Sequence, residues 1–142
     1  MDLDFCSGTR YDDFELRQPD WEHWAEEAMR AADEYGIRFS QSHAPTYNVC
    51  DPFFTEREYY DEMIRRAIIV SGRLGVKWVT VHAGTALDEN RMTEISKARN
   101  IAYYSPVVEL AMKNNLGIVI ENMQDAKILT TIMVNGGKIG CI

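Results

Sequence analysis

The segment VKWVTVHAG, residues 76–84, combines β-branched and aromatic residues in a short run. This pattern is typical of a buried β-strand. The run ends on His82, and small residues follow the histidine. Parallel α/β folds bind ligands at the carboxyl ends of their strands, so a histidine at this point is a candidate functional residue.

Two further residues that can bind metals lie at equal distances from His82. His43 precedes it by 39 residues and Glu121 follows it by 39. Each ends a strand-like run, IRFSQSH or LGIVIE, and a helix-like segment precedes each run. We therefore expect a repeated helix and strand unit that presents all three side chains at one rim of a parallel sheet.

The rest of the chain fits the same repeat. Strands are predicted over residues 1–6, 37–43, 76–82, 116–121 and 138–142. The helix after the second strand has a capping-box pattern, Thr55 with Glu58. Pro106 predicts a kink in the next helix or a division into two abutting helices, and a short helix would fit residues 126–134. A closed eight-stranded barrel usually takes roughly 250 residues, so we expect residues 1–142 to form one incomplete α/β domain.

The composition favours a small-molecule partner. The chain has 142 residues, of which 46% are hydrophobic and 26% charged, as in an ordinary soluble domain. Its net charge of −7 disfavours binding to the phosphate backbone of a nucleic acid. No apolar run approaches the roughly 20 residues of a membrane span, so no membrane contact is expected. The odd cysteine count, Cys6, Cys50 and Cys141, favours reduced thiols in a cytoplasmic protein.

Three strand-end motifs, SHAP, TVHAG and IVIENM, together resemble those of the sugar phosphate isomerase/epimerase family. The lead-ins RLGVKWVTVH and KNNLGIVIEN strengthen the resemblance. The family is part of the xylose isomerase-like TIM barrel superfamily, which also contains the endonuclease IV type of abasic-site nuclease. The resemblance extends over nearly the whole chain. It implies a partial (β/α)8 TIM barrel with about five parallel strands, covering strands two to six of eight.

The resemblance implies roles for four residues. Glu121 matches a glutamate that binds a divalent metal, commonly manganese, in the epimerases and helps to move the proton beside the substrate carbonyl. Asn122 follows it, as in the family, and is expected to bind substrate. His43 and His82 match strand-end histidines that are zinc ligands in endonuclease IV-like members and often line the sugar pocket in others. Later family ligands have no counterpart before Ile142, so we expect a fragment that lacks them.

Three hypotheses about function remain open. The first is a metal-dependent sugar or sugar-phosphate isomerase or epimerase, in which a base and a Mn²⁺ or Mg²⁺ ion act through an enediolate. The second is an endonuclease IV-like zinc phosphodiesterase that uses His43, His82 and Glu121, because two imidazoles with a carboxylate suit zinc. The third is a non-catalytic incomplete barrel that forms a homodimer through its open sheet edges.

A purely structural role competes with each functional assignment. A single histidine at a strand end is more often a hydrogen-bonded structural residue than a ligand. Glu121 differs because it directly follows an apolar run, where an acidic side chain is costly to bury unless it is paired or bound to metal. Asp4 lies one further step of 39 residues before His43 and is assigned no role.

Overall fold

The computed structural model of the protein describes residues 1–85 and 94–121. Its strands are β1 (Asp2–Asp4), β2 (Gln41–His43), β3 (Trp78–His82) and β4 (Gly117–Glu121). Its α-helices are α1 (Trp21–Glu34), α2 (Arg57–Arg73) and α3 (Glu94–Lys113), with short 3-10 helices at Gly8–Arg10 and Glu15–Arg17. None of the helices in these residues is long and apolar enough to cross a membrane.

The four strands form one parallel sheet in the order β1-β2-β3-β4. A helix separates each strand from the next, and the order in space is the order along the chain. This is the arrangement of a (β/α)8 barrel. The predicted α/β fold, a partial TIM barrel, is confirmed for these four strands. The predicted fifth strand at residues 138–142 and the helix at residues 126–134 lie outside the described residues.

Each α-helix ends in the same way, which delivers the next strand at an equivalent position. Gly36, Gly75 and Asn115 follow the three helices with φ values of 66°, 72° and 61°. The backbone N–H bonds that close these turns run from Ile37 to Ala32, from Val76 to Ser71 and from Leu116 to Ala111. Glycine and asparagine tolerate this left-handed conformation best. The first two helices end with glycine, and the third ends with Asn115.

The two faces of β3 and β4 have different surroundings. Val79, Val81, Ile118 and Ile120 belong to the hydrophobic core, where Ile68 of α2 is fully buried. The alternate residues point to the opposite face, because successive side chains on a strand alternate. On that face Trp78 and Gly117 are paired, and a Cβ atom at Gly117 would lie 2.1 Å from the Trp78 ring. Glycine at that position therefore makes room for the indole.

Two local predictions are wrong, and one of the two alternatives predicted at Pro106 is excluded. β2 covers only Gln41–His43 instead of residues 37–43, because the Ile37 N–H closes the end of α1. The predicted capping box does not form, since α2 begins at Arg57 with Glu56 as a cap that makes no side-chain hydrogen bond. At Pro106 the helix α3 is continuous, which excludes two abutting helices and leaves the predicted kink as a prediction. The turn around Pro106 is exposed, so water can bond the carbonyl that proline leaves unpaired.

Replacing Ile68 by alanine is expected to lower the free energy of unfolding by about 2–5 kcal/mol, because the side chain is fully buried and alanine leaves a cavity. Chemical denaturation measures the change. The matched control is Ile95→Ala, since Ile95 is 64% exposed; a change within about 0.5 kcal/mol is expected there. Equal effects of the two substitutions would contradict the described core.

Candidate active site at the carboxyl edge of the sheet

Strand register places four polar side chains on the same face of the sheet. Asp4 pairs with His43, whereas His43 pairs with Thr80, two residues before His82. His82 then pairs with Glu121. Paired residues point to the same side, and so do residues two apart on a strand. The offset of two residues between β2 and β3 is the kind of stagger that tilted barrel strands require.

The three residues predicted to converge lie within a few ångströms of one another. The His43 Nε2 atom is 3.7 Å from Glu121 Oε2, and the His82 Nε2 atom is 4.0 Å from the same oxygen. The two imidazole ring centroids are 6.4 Å apart. The Glu121 side chain is 52% exposed, so a ligand can reach its carboxylate. Asn122, the fourth predicted site residue, lies outside the described residues.

His82 is the most buried member of this group, with 15% of its side chain exposed. The Tyr104 hydroxyl donates a hydrogen bond to the His82 backbone carbonyl. The Nδ1 atom of His82 is buried and has no hydrogen-bond partner among the described residues. Burial lowers the pKa of His82, and the negative charge of Glu121 raises it by less. A neutral imidazole is therefore favoured, which has one nitrogen donor and one nitrogen acceptor.

The rim of β1 adds a carboxylate and a thiol. Asp4 accepts hydrogen bonds from the Cys6 backbone N–H at 2.8 Å and from the Ser7 hydroxyl at 2.9 Å. Burial raises the pKa of Asp4, but these hydrogen bonds lower it by more. Burial also raises the pKa of Cys6 to about 11, helped by the charges of Asp4 and Glu121. The sequence analysis missed Cys6, although its place two residues beyond the strand-end Asp4 could have indicated it.

Two asparagines connect the loop that follows β2 with the loop that follows β3. Asn48 Oδ1 accepts from the backbone N–H groups of Cys50 and Thr85, at 3.1 and 3.0 Å. Asn100 of α3 bonds both the N–H and the carbonyl of Gly84, at 2.8 and 2.7 Å. A Cβ atom at Gly84 would lie 2.8 Å from Asn48 Oδ1, so the loops meet only because this residue is glycine. The sequence pattern assigned neither asparagine a role; for Asn100, a polar residue in the apolar stripe of α3 was the available signal.

The donor atoms at this rim fit part of a divalent-metal site. Ligands of one metal ion lie about 2.0–2.2 Å from it, which puts neighbouring donors about 3–4 Å apart. The two distances from Glu121 Oε2 to His43 and His82 lie at the long end of that spacing. Within residues 1–85 and 94–121, however, no group of three or more His, Cys, Asp and Glu side chains is arranged to hold a metal ion. The donor atoms are of types that bind divalent metals, but their separations of 3.7 and 4.0 Å are long for two ligands of one ion, and the described set is incomplete.

Lowering the pH is expected to destabilise the metal-free protein through His82. Its folded pKa is below the ordinary value of 6.5. The unfolded chain therefore takes up the proton first, so stability is lost as pH falls through 6.5 towards the lowered pKa. Urea unfolding between about pH 7.5 and about pH 5.5, in the presence of a chelator, measures this loss.

The variant His82→Gln is expected to show a smaller loss of stability over the same pH interval. His23→Gln, which removes an exposed histidine on α1, controls for the substitution itself. An unchanged pH dependence in His82→Gln would contradict the expected linkage.

Comparisons with known proteins agree with this fold. A family model described as xylose isomerase-like TIM barrel matches residues 3–132. A solved structure, a D-tagatose 3-epimerase-like protein, aligns with a TM-score of 0.72 and 25% identity. The alignment covers 99% of this chain and 54% of that one, so this chain spans about half the length of that protein.

A sugar phosphate isomerase/epimerase from Parabacteroides distasonis aligns with a TM-score of 0.48 and 16% identity, over 69% of this chain and 32% of that one. The curated proteins contain no match. The family model covers most of the residues, including the three strand ends that meet at the site. The chain therefore belongs to the xylose isomerase-like TIM barrel family.

Proposed function

We propose that the protein is a metal-dependent sugar or sugar-phosphate isomerase or epimerase that moves a proton beside the substrate carbonyl. The observation that carries this proposal is the position of Glu121, whose exposed carboxylate faces two imidazoles at the carboxyl edge of the sheet. Family membership supports it. The name of the D-tagatose 3-epimerase-like protein also favours sugar chemistry.

Glu121 is the proposed base. A carboxylate at the open rim can reach a carbon-bound proton of a sugar in the mouth, and general-base catalysis by a positioned side chain contributes typically 10²–10⁴-fold. The half-buried imidazoles on one side restrict the approach of water, while the exposed part of the carboxylate admits substrate. Return of the proton to the neighbouring carbon would give isomerisation, whereas epimerisation requires a second proton donor that delivers a proton to the opposite face of the same carbon.

His43 and His82 are the proposed substrate-binding residues of the described site. A neutral His82 can donate one hydrogen bond to a sugar hydroxyl and accept another. His43 is more exposed, at 32% of its side chain, and faces the same carboxylate oxygen. Asn122 follows Glu121 directly and keeps its predicted role in substrate binding.

The proposed cofactor is Mn²⁺ or Mg²⁺, held by Glu121 together with ligands that the described residues do not supply. Oxygen ligands suit these ions. When bound, such an ion would act as a Lewis acid that stabilises negative charge on the substrate oxygen next to the reacting carbon. We also propose a cytoplasmic location, because Cys6 and Cys50 are both free thiols.

One observation favours a second candidate function, an endonuclease IV-like zinc phosphodiesterase. His43, His82 and Glu121 offer two nitrogen donors and one oxygen donor at the same rim, although the three are not arranged around a single ion. That set suits zinc better than manganese or magnesium. The net charge of −7 opposes it, since a DNA substrate would be repelled.

The variant Glu121→Gln is expected to abolish the chemistry, because glutamine is neither a base nor an anionic ligand. Exchange of the carbon-bound proton with deuterated water, across ketoses and aldoses that include D-tagatose, should slow by at least about 100-fold. Electron paramagnetic resonance, which detects free Mn²⁺, should show that the variant binds Mn²⁺ more weakly than the unsubstituted protein does. The control is Glu109→Gln, on an exposed part of α3, which should leave both measurements unchanged.

The variants His43→Gln and His82→Gln separate the two enzyme hypotheses. An isomerase should keep Mn²⁺ binding in both variants and show a raised KM for the sugar. A zinc phosphodiesterase should instead lose zinc and lose cleavage of abasic-site DNA. Absence of both proton exchange and Mn²⁺ binding in the unsubstituted protein would contradict the proposed function.

We further propose that the chain forms a homodimer through its sheet edges. Among the described residues, β1 pairs only with β2, and β4 pairs only with β3. Unpaired edge strands present free N–H and carbonyl groups that favour association. Size-exclusion chromatography with light scattering should give about twice the chain mass of 16.3 kDa. A stable monomer at every concentration would contradict this proposal.

A further inference from the structure

A cavity lies beside the loop after β2, outside the candidate active site. Its volume is about 410 Å³, and its wall includes Val49, Cys50, Arg57, Arg99 and Tyr103. These residues come from the loop after β2 and from the amino-terminal parts of α2 and α3. The volume is within the range of small-molecule pockets, roughly 300–1,000 Å³. We call it the two-arginine cavity.

The two arginines are held by uncharged oxygen atoms. Arg57 donates to the Asp51 backbone carbonyl at 3.0 Å and to the Tyr47 hydroxyl at 3.2 Å. Arg99 donates to the Cys50 backbone carbonyl at 2.8 Å. Within the part of the chain that the structure describes, neither guanidinium has a carboxylate within 4.0 Å. Among the described residues, therefore, both positive charges are held in position without a neutralising carboxylate.

Most other arginines in the described residues are arranged differently, although Arg10 too has no carboxylate within 4.0 Å among these residues. Carboxylate partners lie beside Arg17, Arg30, Arg38, Arg65, Arg66 and Arg73. The chain has 22 acidic residues against 15 Lys and Arg, so acidic partners are abundant. Two unneutralised guanidinium groups on one cavity wall are thus not explained by a shortage of carboxylates.

The charges of Arg57 and Arg99 both act on the buried residue Cys50 in the cavity wall. Cys50 is only 2% exposed, and its backbone carbonyl is the oxygen that Arg99 bonds. Burial raises the pKa of the Cys50 thiol, while the charges of Arg99 and Arg57 both lower it. The two guanidinium groups therefore act on one small region. An anion in the cavity would interact favourably with both positive charges.

We propose that the two-arginine cavity binds a small oxyanion, the phosphate or carboxylate group of a small organic molecule. Guanidinium groups present several N–H donors in a plane that matches phosphate and carboxylate oxygens. Each arginine here uses some of its donors on the loop, which fixes its direction and leaves others for a ligand. Binding of this anion is independent of the proposed sugar chemistry.

The competing interpretation is that both arginines serve only to fasten the loop after β2. Loss of either side chain would then lower stability, and no anion would bind. A binding measurement separates the two interpretations, whereas a stability measurement alone does not.

The experiment titrates the purified protein with inorganic phosphate and, separately, with acetate, in a buffer of low ionic strength. Isothermal calorimetry gives the affinity, and the arginine Nε–H resonances in NMR spectra locate the anion. We expect saturable binding of at least one anion and shifts of the Arg57 and Arg99 resonances. The stronger of the two anions identifies the phosphate or carboxylate class.

Arg99→Gln is expected to weaken that binding by at least about tenfold, because a charge-assisted hydrogen bond is lost. Arg38→Gln removes an equal charge from an exposed arginine that is paired with Asp33, so it should change the affinity less than about twofold. Arg99→Lys keeps the positive charge and should retain part of the affinity for the anion. This comparison of Arg99 variants does not depend on a folded Arg57→Gln variant. Absence of saturable binding of both anions, or equal affinities in Arg99→Gln and Arg38→Gln, would overturn the proposal.

Discussion

The hydrogen-bond register of β2, β3 and β4 is the constraint on which the site depends. Glu121 meets both imidazoles because His82 pairs with it directly and because β2 is offset from β3 by an even number of residues. A slip of one residue would turn a strand-end side chain to the opposite face, into the hydrophobic core. The burial of Val79 and Ile118 on that face opposes such a slip, so core packing and site geometry are maintained together.

The mouth of the sheet is a connected structure and not a set of separate loops. Asn100 reaches from α3 to both backbone groups of Gly84, and its amide nitrogen also lies 3.4 Å from the Cys50 sulfur. Asn48 joins the same two loops from the other side. Buried asparagines are stabilising only when their hydrogen bonds are made, and here they are made to backbone groups. The loop that follows His43 is thereby shared between the candidate active site and the two-arginine cavity.

The charge of the molecule is unevenly distributed over these two regions. Asp4 and Glu121 make the rim of the sheet acidic, which suits a divalent cation and a sugar hydroxyl better than a free anion. Arg57 and Arg99 make the neighbouring cavity basic within a chain whose net charge is −7. The acidic groups are therefore separated from the basic groups, and each region favours a ligand of opposite charge.

Local patterns in the sequence were sufficient to predict the repeat. The equal spacing of His43, His82 and Glu121, the apolar runs before them and the glycines after α1 and α2 all depend on short-range rules of chain geometry, so these features were predictable. The family resemblance predicted the barrel and named the same three strand ends.

Tertiary structure alone decided the rest. The place of Cys6 at the rim and the presence of Arg57 and Arg99 on one cavity wall depend on how distant segments pack. Such contacts join residues some tens of positions apart, and their distances follow from strand register and loop packing. A sequence specifies which side chains can reach the rim of the sheet, whereas only the folded chain sets which of them meet there.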